Sequence, residues 1–196
     1  MGETYRKDLS HLTWDEVFAR QLRRAGLVEA WMEALHLEPG SCVLDIGAGP
    51  GYVSLALADR VGPDGLVFAV DRSADALAYL ERLQNERGVS QIKRIVADAT
   101  TFDLGGLHPD SALLTMVLHH ASDPMGILAN TARLLPAGAS AVVGEFHPEG
   151  PLEVGPPQTE RVAPEQARAW CEAAGLAVVA YRRQTPEHFM LTLERR

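Results

Sequence analysis

The stretch Val43-Leu44-Asp45-Ile46-Gly47-Ala48-Gly49-Pro50-Gly51-Tyr52-Val53-Ser54 decides the fold. It begins in an apolar run, carries an acid, and then places a glycine at every second position from 47 to 51. An apolar helical pattern follows from Tyr52 to Val61. A buried strand, a tight glycine turn and a helix in this order bring backbone N–H groups against a nucleotide-like ligand. The turn needs glycine because only glycine reaches positive φ without strain and leaves room for the ligand.

The glycine spacing separates two classes of ligand. The dinucleotide fingerprint G-x-G-x-x-G would place its third glycine at position 52, where this chain has Tyr52. The spacing here is instead D-x-G-x-G-x-G, starting at Asp45. In this form the segment resembles the first motif of class I S-adenosylmethionine-dependent methyltransferases. The resemblance covers about residues 38 to 193 and implies S-adenosylmethionine as the cofactor.

The composition is that of a single globular domain, with 46% hydrophobic and 22% charged residues among 196. A formal net charge of −8 argues against a nucleic-acid or an anionic-membrane partner. Arg20, Arg23 and Arg24 are clustered, and we interpret them as a solvated helix surface. We expect a cytoplasmic protein, because residues 1–8 lack the apolar core of a signal peptide and no apolar stretch reaches the roughly 18 residues that span a membrane.

Strand-like and helical patterns alternate from Cys42 onward, which predicts βαβ units and a mainly parallel sheet with helices on both faces. The last two strand-like runs have no helix between them and should form a hairpin, which adds one antiparallel strand. The resemblance implies a Rossmann-like, doubly wound α/β sheet of seven strands in the order 3-2-1-4-5-7-6. The predicted strands are 42–46, 66–70, 92–97, 111–117, 139–145, 176–181 and 188–193, and the predicted helices after the first strand are 52–61, 74–87, 124–134 and 164–174.

Two helical patterns precede the first strand. They cover Trp14–Arg24 and Leu27–Leu37, with a predicted break at Gly26. We therefore interpret residues 1–37 as an N-terminal helical cap segment and residues 38–196 as the methyltransferase domain.

Acids at the ends of the second and third strands are candidates for the nucleoside part of a cofactor. Asp71 follows Gly51 by about twenty residues, where a carboxylate can accept two hydrogen bonds from a ribose diol. The alternative is a capping role for the helix that starts near Ser73. For Asp98 and Ala99 the resemblance implies contact with the adenine amine and a ring nitrogen, and the alternative for Asp98 is an exposed loop acid. Arg72 is a candidate for the adenine face or for plain surface.

The glycine turn itself is the candidate seat of the methionine part. We expect Gly47, Ala48 and Gly49 to pack against the cofactor, and Gly51 to serve the entry into the helix. Asp45 is expected either to orient the turn by accepting backbone N–H bonds or to reach the cofactor amine. The resemblance further implies that the backbone at Met116 faces the methionine portion.

The fourth strand-like run ends in Leu118-His119-His120. Small-molecule methyltransferases of the quinone-biosynthesis type often have Leu-His-His here, so His119 and His120 are the candidate catalytic residues. A histidine can take a proton from the acceptor near neutral pH. The alternatives are lining of the pocket without proton transfer, or a cap for the helix near Asp123. No metal site is predicted, since adjacent histidines in a strand would point to opposite faces.

Two further segments are candidates for the walls of an acceptor site. The longest irregular piece runs from Phe146 to Pro164 and is rich in proline and glycine, as binding loops often are. An N-terminal lid is the second candidate, with ordinary core packing as the alternative for Trp14. The residues singled out are Glu145, His147, Gly155, Pro156, Pro157 and Arg161 in the first segment, and Tyr5, His11 and Trp14 in the second.

These features favour a methyltransferase that acts on a small-molecule acceptor, with O- or C-methylation ahead of N-methylation and quinone-like metabolites first. Methylation of nucleobase or glutamine amino groups is disfavoured, because the Asn/Asp-Pro-Pro-aromatic motif is absent after the fourth strand. Two other functions stay open. One is a nicotinamide-dependent oxidoreductase, which Tyr52 disfavours, and the other is a non-catalytic protein that retains the cofactor pocket.

Overall fold

A computed structural model describes residue 9 and residues 11–196. Its centre is a seven-stranded sheet in the order β3-β2-β1-β4-β5-β7-β6, which confirms the predicted order. The first five strands are parallel, and β7 is antiparallel to both of its neighbours. The strands are β1 (Cys42–Ile46), β2 (Leu66–Asp71), β3 (Ile92–Val96), β4 (Ser111–Thr115), β5 (Ser140–Phe146), β6 (Leu176–Arg183) and β7 (His188–Arg195).

Helices cover both faces of the sheet because successive residues of the central strands point to opposite sides. Val43 packs in one core cluster, with α2, α3 and α4, while Leu44 packs in the other, with α5 and α6. No described helix is long and apolar enough to cross a bilayer. The helices are α1 (Trp14–Leu22), α2 (Ala25–Ala34), α3 (Tyr52–Val61), α4 (Ala74–Arg87), α5 (Pro124–Leu134) and α6 (Pro164–Ala173).

The break between the first two helices lies elsewhere than predicted. It falls at Arg23–Arg24, and α2 runs through Gly26, where an added Cβ would meet nothing within 4 Å. The Arg23 N–H donates to the Ala19 carbonyl, so α1 closes on its own last turn. The side chains of α2 pack in the same core cluster as α3 and α4. The division of the chain after residue 37 therefore stays a prediction.

The fourth strand is shorter than predicted, and this difference shapes the site. It ends at Thr115 because Met116 has a φ of +57°, which a strand does not tolerate. Residues Leu118–His120 then form a 3-10 helix. The chain therefore turns across the carboxyl edge of the sheet two residues earlier than an extended strand would.

Candidate functional site

A cavity of about 870 Å³ lies at the carboxyl edge of the parallel strands. Ligands of open α/β sheets bind at this edge. Helix α1 and part of the 147–163 segment complete its walls. Of the residues predicted to bind the cofactor or to be catalytic, nine line it: Gly47, Gly49, Asp71, Arg72, Asp98, Ala99, Met116, His119 and His120.

The glycine turn has no room for side chains. Gly47 has a φ of +73°, and a Cβ there would lie 2.3 Å from Cγ2 of Val117. Gly49 has a φ of +56°, and its Cβ would lie 3.3 Å from Nε2 of Gln21. Gly51 is the left-handed N-cap of α3, in agreement with a role in helix entry. The backbone of the turn therefore lies bare along the cavity at Gly47 and Gly49.

Asp71 fixes the glycine turn to the end of β2. Its Oδ2 accepts a hydrogen bond from the Gly49 N–H at 2.8 Å, and its Oδ1 accepts one from the Ser73 N–H at 2.8 Å. Ser73 itself caps α4 by accepting from the Ala76 N–H at 3.2 Å. The carboxylate thus spans the turn and the start of α4 while it lines the cavity. Its contact with a ribose stays a prediction.

Asp45 does not orient the turn as one of its two expected roles required. The Gly47 and Ala48 N–H groups donate to the Val70 carbonyl, at 2.8 and 3.1 Å. Asp45 is buried on the α3 side and accepts from Oγ of Ser54 at 2.6 Å. Burial raises the pKa of Asp45 to about 7, and the nearby charge of Asp71 adds to this.

Two residues predicted to contact the cofactor do not line the cavity, and their contact with the cofactor stays a prediction. Asp45 and Ala48 are 1% and 2% exposed, and neither lines the cavity. Asp45 is held by Ser54 of α3, and Ala48 packs in the core cluster that contains α2, α3 and α4. The orienting role belongs to Asp71.

Asp98 closes the loop after β3. Its Oδ1 accepts from the Thr100 hydroxyl at 2.7 Å and from the Thr100 N–H at 2.8 Å, and these bonds lower the pKa of Asp98. Ala99 follows it along the cavity wall, and its carbonyl accepts from the Asn130 amide at 3.1 Å. Arg72 is exposed and close enough to add to the lowering of the Asp98 pKa. Among the described residues, no side-chain or backbone group donates a hydrogen bond to the second Asp98 oxygen.

The inner end of the cavity is lined by Trp31, His119, Phe146 and His188, and His119 there contacts the buried carboxylate of Glu145, which does not itself line the cavity. Nδ1 of His119 lies 2.7 Å from Oε2 of Glu145, and both side chains are almost fully buried. Oε1 of Glu145 accepts from the Leu118 N–H at 2.7 Å and from the His119 N–H at 3.3 Å. Burial raises the pKa of Glu145, but the charge and hydrogen bonds of His119 outweigh it and hold the pKa below its usual value.

The two adjacent histidines do not point to opposite faces, as a strand would require. The 3-10 helix brings the His119 and His120 rings to 4.0 Å between centroids. Neither histidine caps α5, because Asp123 accepts from the Gly126 N–H at 2.8 Å and takes that place. Both histidines line the cavity. The described residues contain no group of three or more His, Cys, Asp or Glu side chains that would hold a metal ion.

Residues 43–138 match the family model described as a methyltransferase domain. The fold also superimposes on the crystal structure of an S-adenosylmethionine-dependent methyltransferase from Aquifex aeolicus, with a TM-score of 0.79 and 22% identity over 85% of this chain and 88% of that one. Residues 43–138 thus form a methyltransferase domain, and the fold is that of the class I S-adenosylmethionine-dependent enzymes.

Several curated relatives of this methyltransferase are enzymes named for small molecules, while another is a protein-L-isoaspartate O-methyltransferase of Aeropyrum pernix, 37% identical over 36% of this chain and 27% of its own length. A 2-phytyl-1,4-naphtoquinone methyltransferase of Nostoc punctiforme is 32% identical over 55% of this chain and 47% of its own length. A nocamycin O-methyltransferase of Saccharothrix syringae is 30% identical over 67% of this chain and 49% of its own length. The chain thus spans about half the length of these last two relatives.

Three residues of the methyltransferase cavity escaped the sequence analysis because their partners are distant in sequence. Gln21 holds the glycine turn, donating to the Ala48 carbonyl at 3.1 Å and accepting from the Tyr52 N–H at 3.0 Å. Trp31 lines the inner end and donates to Gln184 at 2.8 Å. His188 lines the same end from β7. No local pattern marks any of them.

The arginine cluster of α1 is also placed differently from the expectation. Arg20, Arg23 and Arg24 all line the cavity rather than forming only a solvated surface. The end of α1 and the start of α2 lie over the carboxyl edge, so this basic segment faces the site. A single helix pattern shows which residues share a face but not what that face covers.

The 147–163 segment forms one wall and is held by Arg161. The buried guanidinium donates to three carbonyls, those of Pro156 at 3.0 Å, His147 at 2.9 Å and Val154 at 2.6 Å, and pairs with Glu187 at 2.5 Å. Val154, Gly155 and Pro156 line the cavity, whereas His147, Pro157 and Arg161 do not.

The N-terminal candidates contribute in part. Trp14 lines the cavity together with Leu9 and Leu12. His11 does not line it, and its Nδ1 is buried with no partner among the described residues. Tyr5 lies outside the described residues.

Asp45→Asn tests the burial of this acid. The folded pKa of about 7 exceeds the usual 3.8, so the folded state holds a proton that the unfolded chain loses, and stability from this group falls as pH rises through that window. Relative to wild type, the variant should therefore gain roughly 2 kcal/mol of unfolding free energy between about pH 5 and about pH 8.

Urea unfolding at both pH values measures this gain. Asp75→Asn, at an exposed position in the first turn of α4, is the matched control and should show no such trend. A difference between Asp45→Asn and wild type that does not vary with pH would contradict the assignment.

Proposed function

We propose that this chain transfers a methyl group from S-adenosylmethionine to a small-molecule acceptor, by O- or C-methylation. One observation carries the proposal. A single cavity is lined both by the bare glycine turn, at Gly47 and Gly49, and by His119, whose ring contacts the buried Glu145. A candidate cofactor-binding surface and a proton-accepting group thus line the same cavity, and transfer of a methyl group between two bound molecules requires this proximity.

The cofactor half of the cavity has donors and acceptors that fit an adenosyl amino acid. Gly47 and Gly49 leave a surface that a Cβ would fill, and Asp71 and Asp98 each offer carboxylate oxygens along the same wall. Ala99 and Met116 complete it. When bound, S-adenosylmethionine supplies a methyl group on a positively charged sulfur. We propose that Asp71 binds the ribose of the cofactor, that Asp98 and Ala99 bind its adenine, and that the glycine turn binds its methionine part.

The acceptor half is suited to taking up a proton. The carboxylate of Glu145 accepts the Nδ1–H of His119, which leaves Nε2 of His119 with its lone pair. A carboxylate behind an imidazole fixes its tautomer and orientation. His119 is therefore the proposed base for an acceptor hydroxyl, and Glu145 is the residue that positions it. His120, stacked on His119, lines the acceptor pocket.

The acceptor is proposed to be a small aromatic metabolite. The net charge of −8 disfavours nucleic acid. Relatives named for a phytyl naphthoquinone and for nocamycin support a small organic acceptor. Quinone-like acceptors come first in this proposal, as in the sequence analysis, and a cytoplasmic location is proposed with them.

Ligand-dependent thermal unfolding tests the cofactor assignment. S-adenosylhomocysteine at a hundredfold its Kd should stabilise the protein by about 2.7 kcal/mol, a rise in Tm of roughly 5–10 °C, and NADH should have no effect. Asp71→Ala should weaken S-adenosylhomocysteine binding at least about tenfold, because the ligand hydrogen bonds and the hold on Gly49 are both lost. The exposed Asp75→Ala is the matched control. A shift with NADH alone would contradict the proposal.

Glu145→Gln tests the acceptor half. An amide at this position offers an N–H to Nδ1 of His119 and moves the ring proton to Nε2, which removes the base. We expect kcat for methyl transfer to fall about a hundredfold, with unchanged affinity for S-adenosylhomocysteine. Transfer of label from methyl-labelled S-adenosylmethionine to a panel of phenols and quinols gives the rates.

The control for this experiment is Glu149→Gln, at an exposed glutamate four residues along the chain. Full activity in Glu145→Gln would contradict the role of the pair. If the wild-type protein methylates none of the phenols and quinols in the panel, the proposal of a quinone-like acceptor is contradicted.

A further inference from the structure

The ring of Phe146 lies at the inner end of the cavity, where several other side chains contact it. The His188 ring lies 4.8 Å from it between centroids, and the Arg24 guanidinium carbon lies 5.8 Å from its centroid. His119 meets the same ring edge-on at 5.6 Å. The Arg161 guanidinium carbon also lies 5.3 Å from this centroid, so two guanidiniums and two imidazoles surround the ring. Arg24, His119 and His188 line the cavity, whereas Arg161 does not line it and is paired with Glu187.

The hydrogen bonds of Thr185 fix the tautomer of His188. The Thr185 hydroxyl oxygen accepts from the Glu187 N–H and the His188 N–H, both at 3.1 Å. With these two bonds its own proton is left to donate to Nδ1 of His188, 2.9 Å away. Burial, followed by the charge of Arg24, lowers the pKa of His188 to about 4, so the ring is neutral and carries its proton on Nε2.

That Nε2–H has no partner within the described part of the chain. His188 is 6% exposed. Among the residues that the structure describes, three buried side-chain polar atoms lack a hydrogen bond, in His11, Ser111 and His188. Of these three residues, His188 is the one that lines the cavity. An unsatisfied buried donor costs about 1–3 kcal/mol, and such groups in native proteins usually await a ligand or water.

Arg24 is a second unsatisfied group beside it. Among the described residues its only hydrogen bond runs from Nε to the Arg20 carbonyl, at 3.3 Å, and no carboxylate lies within 4 Å. Desolvation lowers the pKa of Arg24 to about 10, so the guanidinium still carries its charge at neutral pH. Its terminal nitrogens are free to bind an anion.

The nearest acid does not neutralise this charge by contact. Both oxygens of Glu145 are taken by His119 and by backbone N–H groups, including that of Phe146 at 3.3 Å. A desolvated cation without a paired carboxylate is unfavourable unless a ligand supplies the negative charge. The inner end is therefore built to receive an oxygen anion.

We propose that Arg24 and His188 select the acceptor: the cavity takes a planar aromatic molecule that carries a negatively charged oxygen, with the His188 Nε2–H donating to that oxygen and Arg24 neutralising it. The oxygen belongs to a carboxylate or a phenolate. This assignment rests on the proposed function, since it places the methyl acceptor in this half of the cavity. Arg24 and His188 determine specificity, while His119 takes the proton.

Three probes with one ring separate charge from shape. Calorimetric titration with 4-nitrobenzoate, 4-nitrophenolate and the neutral 4-nitrobenzamide should give at least about tenfold tighter binding of one or both anions than of the amide. The phenol is titrated at a pH above the pKa of its hydroxyl and below that of Arg24. Tighter binding of the benzoate assigns a carboxylate, and tighter binding of the phenolate assigns a phenol.

The variants assign the effect to the two residues. Arg24→Met should remove the preference for anions, whereas Arg182→Met, at an exposed position of β6, should retain it. His188→Phe should weaken binding of all three probes about fivefold, and His188→Gln, which restores an N–H donor, should recover part of the loss. Equal affinity for anion and amide in the wild type, or an unchanged preference in Arg24→Met, would overturn the proposal.

Titration of each protein with S-adenosylhomocysteine keeps the two proposals separate. Unchanged affinity in the variants shows that the fold and the cofactor half are intact. Cofactor binding without an anion preference would contradict the acceptor assignment alone. An anion preference without cofactor binding would contradict the proposed function alone.

Discussion

The hydrogen bond from the Gly49 N–H to the carboxylate of Asp71 is the contact on which the site depends. It joins the turn after β1 to the end of β2, and Asp71 also binds the Ser73 N–H that opens α4. Gly47 and Gly49 must be glycine for this turn to form, because both have positive φ and lie against neighbouring side chains. The same strand order that brings β1 beside β2 thus creates the bare backbone surface along the cavity.

The positive φ of Met116 places a turn at the end of β4, between the glycine turn and the two histidines that line the cavity. It ends β4 early and lets the following 3-10 helix place His119 on Glu145, which belongs to the neighbouring strand β5. Strand β7 then adds His188 beside Phe146, its partner in the sheet register. The reversed strand therefore has a chemical consequence. It extends the sheet past β5 and supplies a donor that a six-stranded parallel sheet would lack.

The sequence predicted most element bounds, because apolar runs and the glycine turn are local signals. The sheet order followed from the resemblance to the methyltransferases. It erred where long-range packing decides. Asp45 follows the turn motif but is buried on Ser54, and the break near Gly26 lies at Arg23–Arg24 instead. The stacking of His119 on His120 depends on one left-handed residue. The contacts of Gln21 with the glycine turn and of Arg24 with Phe146 join residues far apart in sequence, and no periodic pattern predicts them.

Hydrogen–deuterium exchange with and without S-adenosylhomocysteine tests the central claim, that the cofactor seat is the glycine turn beneath α1. The account predicts slower exchange in peptides covering 46–53, 70–74, 96–100 and 12–24, with no change in the outer strand β6. Protection confined to other segments, with the glycine turn unaffected, would contradict it.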